Sequence, residues 1–213
     1  ADGQITDEAI EAVLAVPADV IACGPGLGRG PGAAAFVRAL LERSATPLVL
    51  DADALSALGD ESDCLRGRDD RPVIITPHPG EMARLTGLSA DDVQVNRLQV
   101  ALECAEARQV YVILKGYRTV VATPDGRVAI NPTGNPGMAT GGTGDVLTGV
   151  VAAWLAQLLD AERACRLGVF LHGAAGDLAE SSLGQTAMVA GDLLRYLGPA
   201  LQQLIAPERP TST

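Results

Sequence analysis

The stretch DVIACGPGLGRGPGAAAFVRALLERSATPLVLDADAL (residues 19–55) contains a strand, a helix and a second strand in one run. Its VIAC and PLVL runs are apolar and of strand length. The segment 31–44 between them has apolar residues at helical spacing, with Pro31 suited to the first turn. Strands without polar alternation are buried on both faces, as in a parallel sheet covered by helices. The stretch therefore predicts a βαβ unit.

The rest of the chain repeats this pattern. A third strand with a short helix is predicted from residue 71, a longer helix over 91–108 and a strand over 110–116. RTVVATPDGRVAI (118–130) predicts a hairpin that turns at 124–126, and the pattern is helical from Gly144 almost to the end. We therefore expect an α/β fold: a mostly parallel central sheet with helices on both faces.

The length and composition fit a single domain. The chain has 213 residues, of which 47% are hydrophobic and 20% charged, enough to bury a substantial core. Thr6, followed by two acids, predicts the start of an N-terminal helix. We expect one domain over residues 1–205 and a flexible tail over 206–213.

Charge and cysteine spacing argue against several classes of partner. The net charge is −10 and no Lys/Arg cluster interrupts it, which disfavours nucleic acid and anionic membranes. No apolar run reaches membrane-spanning length without a break, and the first ten residues lack the pattern of a signal peptide. The four cysteines show no C-x-x-C spacing, so neither a zinc site nor a disulfide framework is indicated. A cytoplasmic location is expected.

Five unusual segments fall where the predicted strands end. Ligands of open α/β sheets bind beyond the carboxyl ends of the strands, so we expect these segments to converge on one edge. They are GPGLG (24–28), DADAL (51–55), TPHPGE (76–81), LKGYR (114–118) and the loop before Asp145.

Asp145 is the only charged residue between Arg127 and Asp160, and it follows a glycine-rich run, NPTGNPGMATGGTG (131–144). A helix that begins near residue 144 would present unpaired N–H groups to an anion. The segment is not a Walker loop, because it lacks G-K-[ST]. Asp145 could instead have only a structural role, as a cap or a favourable negative charge at the helix N-terminus, but Thr143 would be the ordinary capping residue. Since the helix that follows reads as apolar nearly all round and hence buried, a carboxylate at its end favours a functional role.

The two histidines have different contexts. Pro77 and Pro79 restrict the backbone on both sides of His78 and aim it at a strand end, so we expect it to contact a ligand. His172 lies in the apolar segment VFLHGAAG, which predicts a packed or hydrogen-bonded side chain.

Other candidates remain open between structural and functional roles. GPGLG could be a turn or a ligand loop, because it lacks dinucleotide-binding spacing. For Asp53 we favour a helix cap, whereas Asp51 could equally contact a ligand. Lys115 could pair with a phosphate or simply end a strand, and the neighbouring Gly116 favours phosphate.

ACGPGLG, VLDADAL, TPHPGEMARL, LKGYRTVV and NPTGNPGMATGGTGDVLTGVVAA together resemble the ADP/ATP-dependent NAD(P)H-hydrate dehydratases of the ribokinase-like superfamily. The resemblance runs from about residue 18 to 191, in the expected order. It implies a ribokinase-like three-layer sandwich. It also implies repair of hydrated NADH or NADPH at the expense of ADP or ATP, with ADP giving AMP and phosphate. Magnesium is expected from phosphoryl transfer, with unknown protein ligands.

The same resemblance implies roles for individual residues. Asp145 would be the catalytic base toward the ring hydroxyl and would contact the substrate. The anion hole would comprise Gly142, Thr143 and Gly144. The nucleotide would contact Lys115, Gly116, Tyr117, Arg118, Thr119 and Gly144. The hydrated nicotinamide would contact Gly26, His78 and Asp51.

The chain departs from the family pattern at its start. Members usually carry a further glycine-rich strand–helix unit before the GPGLG strand, so we expect a truncation or a longer parent protein. A partner subunit could cover the surface instead, and a homo-oligomer such as a tetramer is expected. Two alternatives stay open: a small-molecule kinase of the same superfamily, and a nucleotide-binding fragment without catalysis. The ADP or ATP preference and an upstream epimerase domain also stay open.

Overall fold

The computed structural model describes residues 5, 7–28, 30–68, 70–158 and 160–206. Six short strands form one sheet in which the strands lie in chain order. They are β1 (Ile21–Cys23), β2 (Leu48–Leu50), β3 (Val73–Ile75), β4 (Tyr111–Leu114), β5 (Val120–Ala122) and β6 (Val128–Ile130). Strands β1 to β4 pair in parallel, whereas β5 pairs antiparallel with both β4 and β6. The prediction of a mostly parallel sheet is confirmed.

The described ranges contain nine α-helices and two 3₁₀ segments, Gly59–Cys64 and Pro136–Met138. The α-helices are α1 (Asp7–Leu14), α2 (Pro31–Arg43), α3 (Ala52–Leu58), α4 (Pro79–Thr86), α5 (Ala90–Val95), α6 (Arg97–Arg108), α7 (Thr143–Leu158), α8 (Ala161–Leu183) and α9 (Ala190–Ile205).

The helices form layers on both faces of the sheet, as predicted. Because successive side chains of a strand point to opposite faces, Leu48 and Leu50 lie in one core and Val49 in the other. The first core includes residues of α2, α3, α4 and α6, and the second includes residues of α7 and α8. Helix α9 packs on the outer side of α8. The result is a three-layer α/β sandwich.

The prediction of one helix over 91–108 is wrong, because the structure has two helices with a break at Asn96. Its backbone, at φ −114° and ψ 32°, leaves the helical region, and its Nδ2 donates to the carbonyl of Asp92 at 3.3 Å. Asparagine commonly offers the backbone such alternatives to a continuing helix. The Ser89 hydroxyl caps the first of the two helices by accepting from the N–H of Asp92 at 3.0 Å.

The hairpin of β5 and β6 turns at residues 124–126 as predicted, with Gly126 at φ +88°. The predicted helix start at Thr6 lies outside the described residues, and so does the predicted tail from residue 207 onward. None of the helices in the described ranges is long and apolar enough to cross a membrane.

Candidate active site

The five segments predicted to converge do meet at the carboxyl edge of the sheet. Backbone hydrogen bonds join the strand ends in order: Asp51 N to Cys23 O at 3.0 Å, Thr76 N to Leu50 O at 3.1 Å, and Lys115 N to Pro77 O at 2.8 Å. The backbone of Gly24 lies so close to that of Asp51 that an added Cβ on Gly24 would be 1.8 Å from the carbonyl oxygen of Asp51. The start of α7 completes this edge, since a Cβ on Gly144 would lie 3.2 Å from the Nζ of Lys115.

The GPGLG corner is an exposed loop with left-handed backbone at Gly26 (φ +72°) and Gly28 (φ +83°). These positive φ angles, which glycine adopts without steric cost, explain the residue type. The N–H of Gly28 donates to the Oδ2 of Asp53 at 3.0 Å. The prediction that Asp53 caps a helix is therefore wrong: α3 begins at Ala52, and the Asp53 carboxylate instead holds the glycine loop against the next corner.

His78 lies at the N-cap position of α4. The ring Nδ1 of His78 accepts from the backbone N–H groups of Gly80 at 3.0 Å and Glu81 at 3.2 Å. In return, the backbone N–H of His78 donates to the Oε2 of Glu81 at 2.8 Å. Since Nδ1 is an acceptor, the neutral ring is assigned a proton on Nε2. The side chain is 50% exposed, and its Nε2 lies 3.4 Å from the Oε1 of Glu81, so a ligand would compete with this carboxylate for the Nε2–H. The capping box of residues 78–81 was readable in the H-P-G-E spacing but was missed.

Asp51 and Lys115 form an ion pair at the centre of the site. The Nζ of Lys115 lies 2.5 Å from the Oδ1 of Asp51 and 3.8 Å from the Oε2 of Glu81. The hydroxyl of Thr148 donates to the Oδ2 of Asp51 at 2.8 Å. Glu81 and Thr148 were missed by the sequence reasoning, because only the fold brings Glu81 to Lys115 and Thr148 to Asp51. The structure thus occupies both oxygens of Asp51 with protein partners.

The nucleotide segment predicted from the resemblance, residues 115–119, forms the loop after β4. Gly116 (φ +137°) and Arg118 (φ +54°) both have left-handed backbone. Such a conformation is uncommon for a non-glycine residue such as arginine. The ring of Tyr117 is 82% exposed, and the guanidinium of Arg118 lies 5.4 Å from its centre. Thr119 closes the loop, since its hydroxyl donates to the carbonyl of Gly116 at 3.0 Å.

Helix α7 begins at Thr143, directly after Gly142 (φ +90°). The expectation that Thr143 caps the helix is wrong, because its hydroxyl lies between two carbonyl acceptors, Met138 O at 2.8 Å and Thr140 O at 2.9 Å, to which its one proton is directed. The side chain thus ties the helix start to the preceding loop. Any contribution of Thr143 to an anion hole comes from its backbone.

Asp145 faces solvent in the first turn of α7. The expectation of a helix buried nearly all round is wrong, since exposed residues recur every four positions, at 145, 149, 153 and 157. The carboxylate has no hydrogen-bond or ion-pair partner among residues 5, 7–28, 30–68, 70–158 and 160–206. Its availability to a ligand therefore follows from exposure, and the desolvation argument made from the sequence does not apply.

Helix α8 fixes the start of α7. The Nε2–H of His172 donates a hydrogen bond to the carbonyl of Thr143, with Nε2 at 2.9 Å from the oxygen. Burial lowers the pKa of His172 to about 4, against the opposing effect of this bond and with a small contribution from the charge of Lys115. The prediction of a packed, hydrogen-bonded histidine is confirmed.

The same helix holds the glycine-rich loop. The Oδ2 of Asp177 accepts from the N–H of Gly134 at 2.9 Å, a contact that the sequence reasoning missed. A Cβ at Gly173 would lie 2.2 Å from the hydroxyl oxygen of Thr133. The loop therefore packs against the bare backbone of α8, and an acid within the helical segment HGAAGD was the available signal.

Comparisons with known proteins agree with this geometry. A family model described as NAD(P)H-hydrate dehydratase matches residues 4–199. The bifunctional NAD(P)H-hydrate repair enzyme of Moorella thermoacetica is 50% identical over 204 residues, 95% of this chain and 38% of that protein. The ADP-dependent (S)-NAD(P)H-hydrate dehydratase of Neisseria meningitidis serogroup B is 38% identical over 186 residues, 87% of this chain and 62% of that protein.

A solved structure is similar as well. The Bacillus subtilis ADP/ATP-dependent NAD(P)H-hydrate dehydratase, co-crystallised with ATP and Mg²⁺, has 34% identity and a TM-score of 0.81 over 92% of this chain and 70% of that one. The chain thus spans less than two thirds of the length of the two curated relatives described above. Since the family model covers nearly the whole chain and its fold matches a solved member, the chain belongs to the NAD(P)H-hydrate dehydratase family.

Proposed function

We propose that the chain dehydrates hydrated NADH and NADPH with the consumption of a nucleotide phosphate bond, converting ADP to AMP and phosphate. The observation that carries this proposal is the exposed carboxylate of Asp145 in the first turn of α7, next in the chain to Gly144, where an added Cβ would lie 3.2 Å from the Nζ of Lys115. The dehydratases of Neisseria meningitidis and Bacillus subtilis, which act with ADP or ATP, support the choice of nucleotide.

In the proposed reaction the terminal phosphate of the nucleotide lies at the start of α7. Backbone N–H groups of residues 142–144 and the Lys115 ammonium receive its negative charge. Asp145 accepts the proton of the ring hydroxyl as that oxygen attacks phosphorus and the bond to AMP breaks. The ring nitrogen then drives out phosphate, breaking the carbon–oxygen bond, and loss of a proton from the neighbouring carbon restores the double bond. Phosphorylation makes a poor leaving group a good one.

The proposed substrate corner at His78 adjoins the nucleotide segment, since Lys115 N donates to Pro77 O at 2.8 Å. The Nε2–H of His78 is a donor, suited to a carbonyl oxygen such as that of the nicotinamide carboxamide. Gly26, in the exposed GPGLG loop, would offer backbone to the same ligand. Asp51 is enclosed by its partners Lys115 and Thr148, which fits a positioning role better than contact with the substrate.

Magnesium is the proposed companion of the nucleotide. The described residues contain no group of three or more His, Cys, Asp or Glu side chains that could hold a metal ion. Mg²⁺ is commonly bound through substrate phosphates and one or two carboxylates while keeping several waters. We therefore assign no protein cage to it and expect it to enter with the nucleotide.

Two further proposals concern the setting of the enzyme. Exposed apolar side chains on the described surface, such as Val95 and Ile205, support assembly into a homo-oligomer. The net charge of −10 supports small-molecule partners over nucleic acid. We propose a cytoplasmic location, where the nucleotide and the hydrated cofactors occur.

Replacement of Asp145 by asparagine tests the proposed base. General-base catalysis contributes on the order of 10²–10⁴-fold, so Asp145→Asn should lower kcat by about that factor and leave ADP affinity largely unchanged. Turnover is followed by the recovery of reduced-nicotinamide absorbance from hydrated NADH and ADP. Asp91→Asn is the matched control, since Asp91 is an exposed acid in the first turn of another helix. Near-normal turnover by Asp145→Asn would contradict the assigned role.

The same assay separates the two alternatives. A kinase would phosphorylate a hydroxymethyl substrate from the nucleotide and leave hydrated NADH unchanged. A fragment without catalysis would bind ADP in calorimetry without turnover, and a longer form of the protein would restore it. The TPHPGE corner at residues 76–81 favours the dehydratase over the kinase.

A further inference from the structure

We infer that Asp51 is a positioning residue that holds the ammonium of Lys115 at the start of α7, and not a contact for the hydrated nicotinamide. This inference rests on the proposed function for its effect on rate. That Asp51 determines the location of the Lys115 Nζ does not depend on which reaction the chain catalyses.

The Asp51 carboxylate is closed to ligands. Its side chain is 1% exposed, and its two oxygens have different protein partners. Oδ1 lies 2.5 Å from the Nζ of Lys115 and Oδ2 accepts from the hydroxyl of Thr148 at 2.8 Å. A substrate group could reach either oxygen only by displacing one of these partners, which would leave a buried charge or hydroxyl unpaired.

Lys115, by contrast, keeps capacity for a ligand. An ammonium has three donors, and Asp51 takes one of them. Glu81, at 3.8 Å, lies beyond hydrogen-bond distance but adds a second negative charge on the same side. The side chain is 19% exposed, and its Nζ would be 3.2 Å from a Cβ on Gly144. A donor on Nζ is thus left beside the first turn of α7, where we place the transferred phosphate.

Thr148 connects this pair to the helix that carries the proposed base. Its hydroxyl donates to Asp51 and also lies 3.1 Å from the carbonyl of Gly144. Thr148 follows Gly144 by four residues, so the two lie on one face of α7, one turn apart. Asp51 therefore fixes Lys115 relative to α7, so that the distance between the Lys115 ammonium and the start of α7 is held constant.

Such fixing matters because lysine has a long, flexible side chain whose ammonium carries no inherent direction. A displacement of about 1 Å in a catalytic group can cost on the order of 100-fold in rate. A positioning role predicts a specific pattern: loss of Asp51 lowers kcat, yet ADP binding does not weaken, because a negative charge near the phosphates has been removed.

Asp51→Asn tests the inference with little change in volume. The asparagine Nδ2 can donate to the Thr148 hydroxyl, which can turn to donate to Gly144, so the buried groups stay paired. The neutral Oδ1 then holds the Lys115 ammonium more weakly than the carboxylate does. We expect kcat to fall roughly 10- to 100-fold, with unchanged KM for hydrated NADH and unchanged or tighter ADP binding. Thr148→Val, which leaves the ion pair in place, should give a smaller loss. A raised KM for hydrated NADH with normal kcat would instead identify Asp51 as a substrate contact.

A double-mutant cycle with Lys115→Met shows whether Asp51 acts through Lys115. In that background, Asp51→Asn should change kcat by less than about twofold, whereas full additivity of the two losses would overturn the inference. The crystal structure of Asp51→Leu, whose branched side chain has a similar shape but no acceptor, provides a readout that needs no turnover: the Lys115 Nζ should leave its place beside Gly144. If the wild-type chain shows no turnover, the proposed function fails, and an Nζ that stays in place in Asp51→Leu refutes the positioning role separately.

Discussion

Acidification should destabilise the folded chain through protonation of His172. The ring is buried, and its Nε2 donates to the carbonyl of Thr143 at the start of α7. Burial disfavours the charged imidazolium and lowers the pKa of His172 to about 4, from an ordinary value of 6.5. The unfolded chain therefore binds a proton at a pH where the folded chain does not.

The sign and the pH window follow from proton linkage. Because the folded-state pKa lies below the unfolded value, the contribution to stability is fully present above pH 6.5 and is lost as the pH falls toward 4. The free energy of unfolding should decrease by about 2 kcal/mol at pH 5 and by about 3 kcal/mol near pH 4.

Urea unfolding at pH 7, 6, 5 and 4.5 measures the effect, with His172→Gln as the matched variant. The glutamine amide can place an N–H near the former Nε2 and has no titration in this range. Other groups also destabilise the fold in acid, including Asp70 and Asp125, whose pKa values are lowered by neighbouring arginines. The difference between wild type and variant cancels them. Parallel stability curves for the two proteins from pH 7 to 4.5 would refute the reasoning.

Two further perturbations test the frame around the site. Asp177→Ala removes the acceptor of the Gly134 N–H, so we expect the free energy of unfolding in urea to fall by about 1–3 kcal/mol and the glycine-rich loop to be proteolysed faster. An unchanged cleavage rate would contradict a role of Asp177 in holding this loop. Gly24→Ala places a Cβ 1.8 Å from the carbonyl oxygen of Asp51 and should prevent folding to the native state. Gly26→Ala meets no atom within 4 Å and should cost only about 1–2 kcal/mol for its left-handed backbone. Equal thermal stability of the two alanine variants would contradict this distinction.

The sequence predicted the site at the level of segments because the relevant physics is local. Apolar strands alternate with helices, and parallel strands must end at one edge, so the five corners could be brought together without coordinates. His172 was also predictable, since a histidine among apolar helical residues needs a buried partner. These inferences depend on neighbours along the chain.

Pairs between distant segments could not be predicted in the same way. Asp51 and Lys115 are separated by 64 residues and Asp51 and Thr148 by 97, so no spacing rule connects them. For Asp53, the cap prediction competed with a bond to Gly28 that depends on how the GPGLG loop folds back. The exposure of Asp145 was missed for another reason: glycine, alanine and glutamine at i+4 intervals make an exposed stripe that looks apolar in sequence.

The chain order of the strands has a consequence for synthesis on the ribosome. The strands are synthesised in the order in which they lie in the sheet, from β1 to β6. The Thr148 hydroxyl that donates to Asp51, however, belongs to a helix, and Thr148 is translated 97 residues after Asp51. Until α7 emerges, the nascent chain would have to leave this acid hydrated and the face above β2 open. The nucleotide site is therefore completed late, and a nascent chain that stops before residue 143 should lack it.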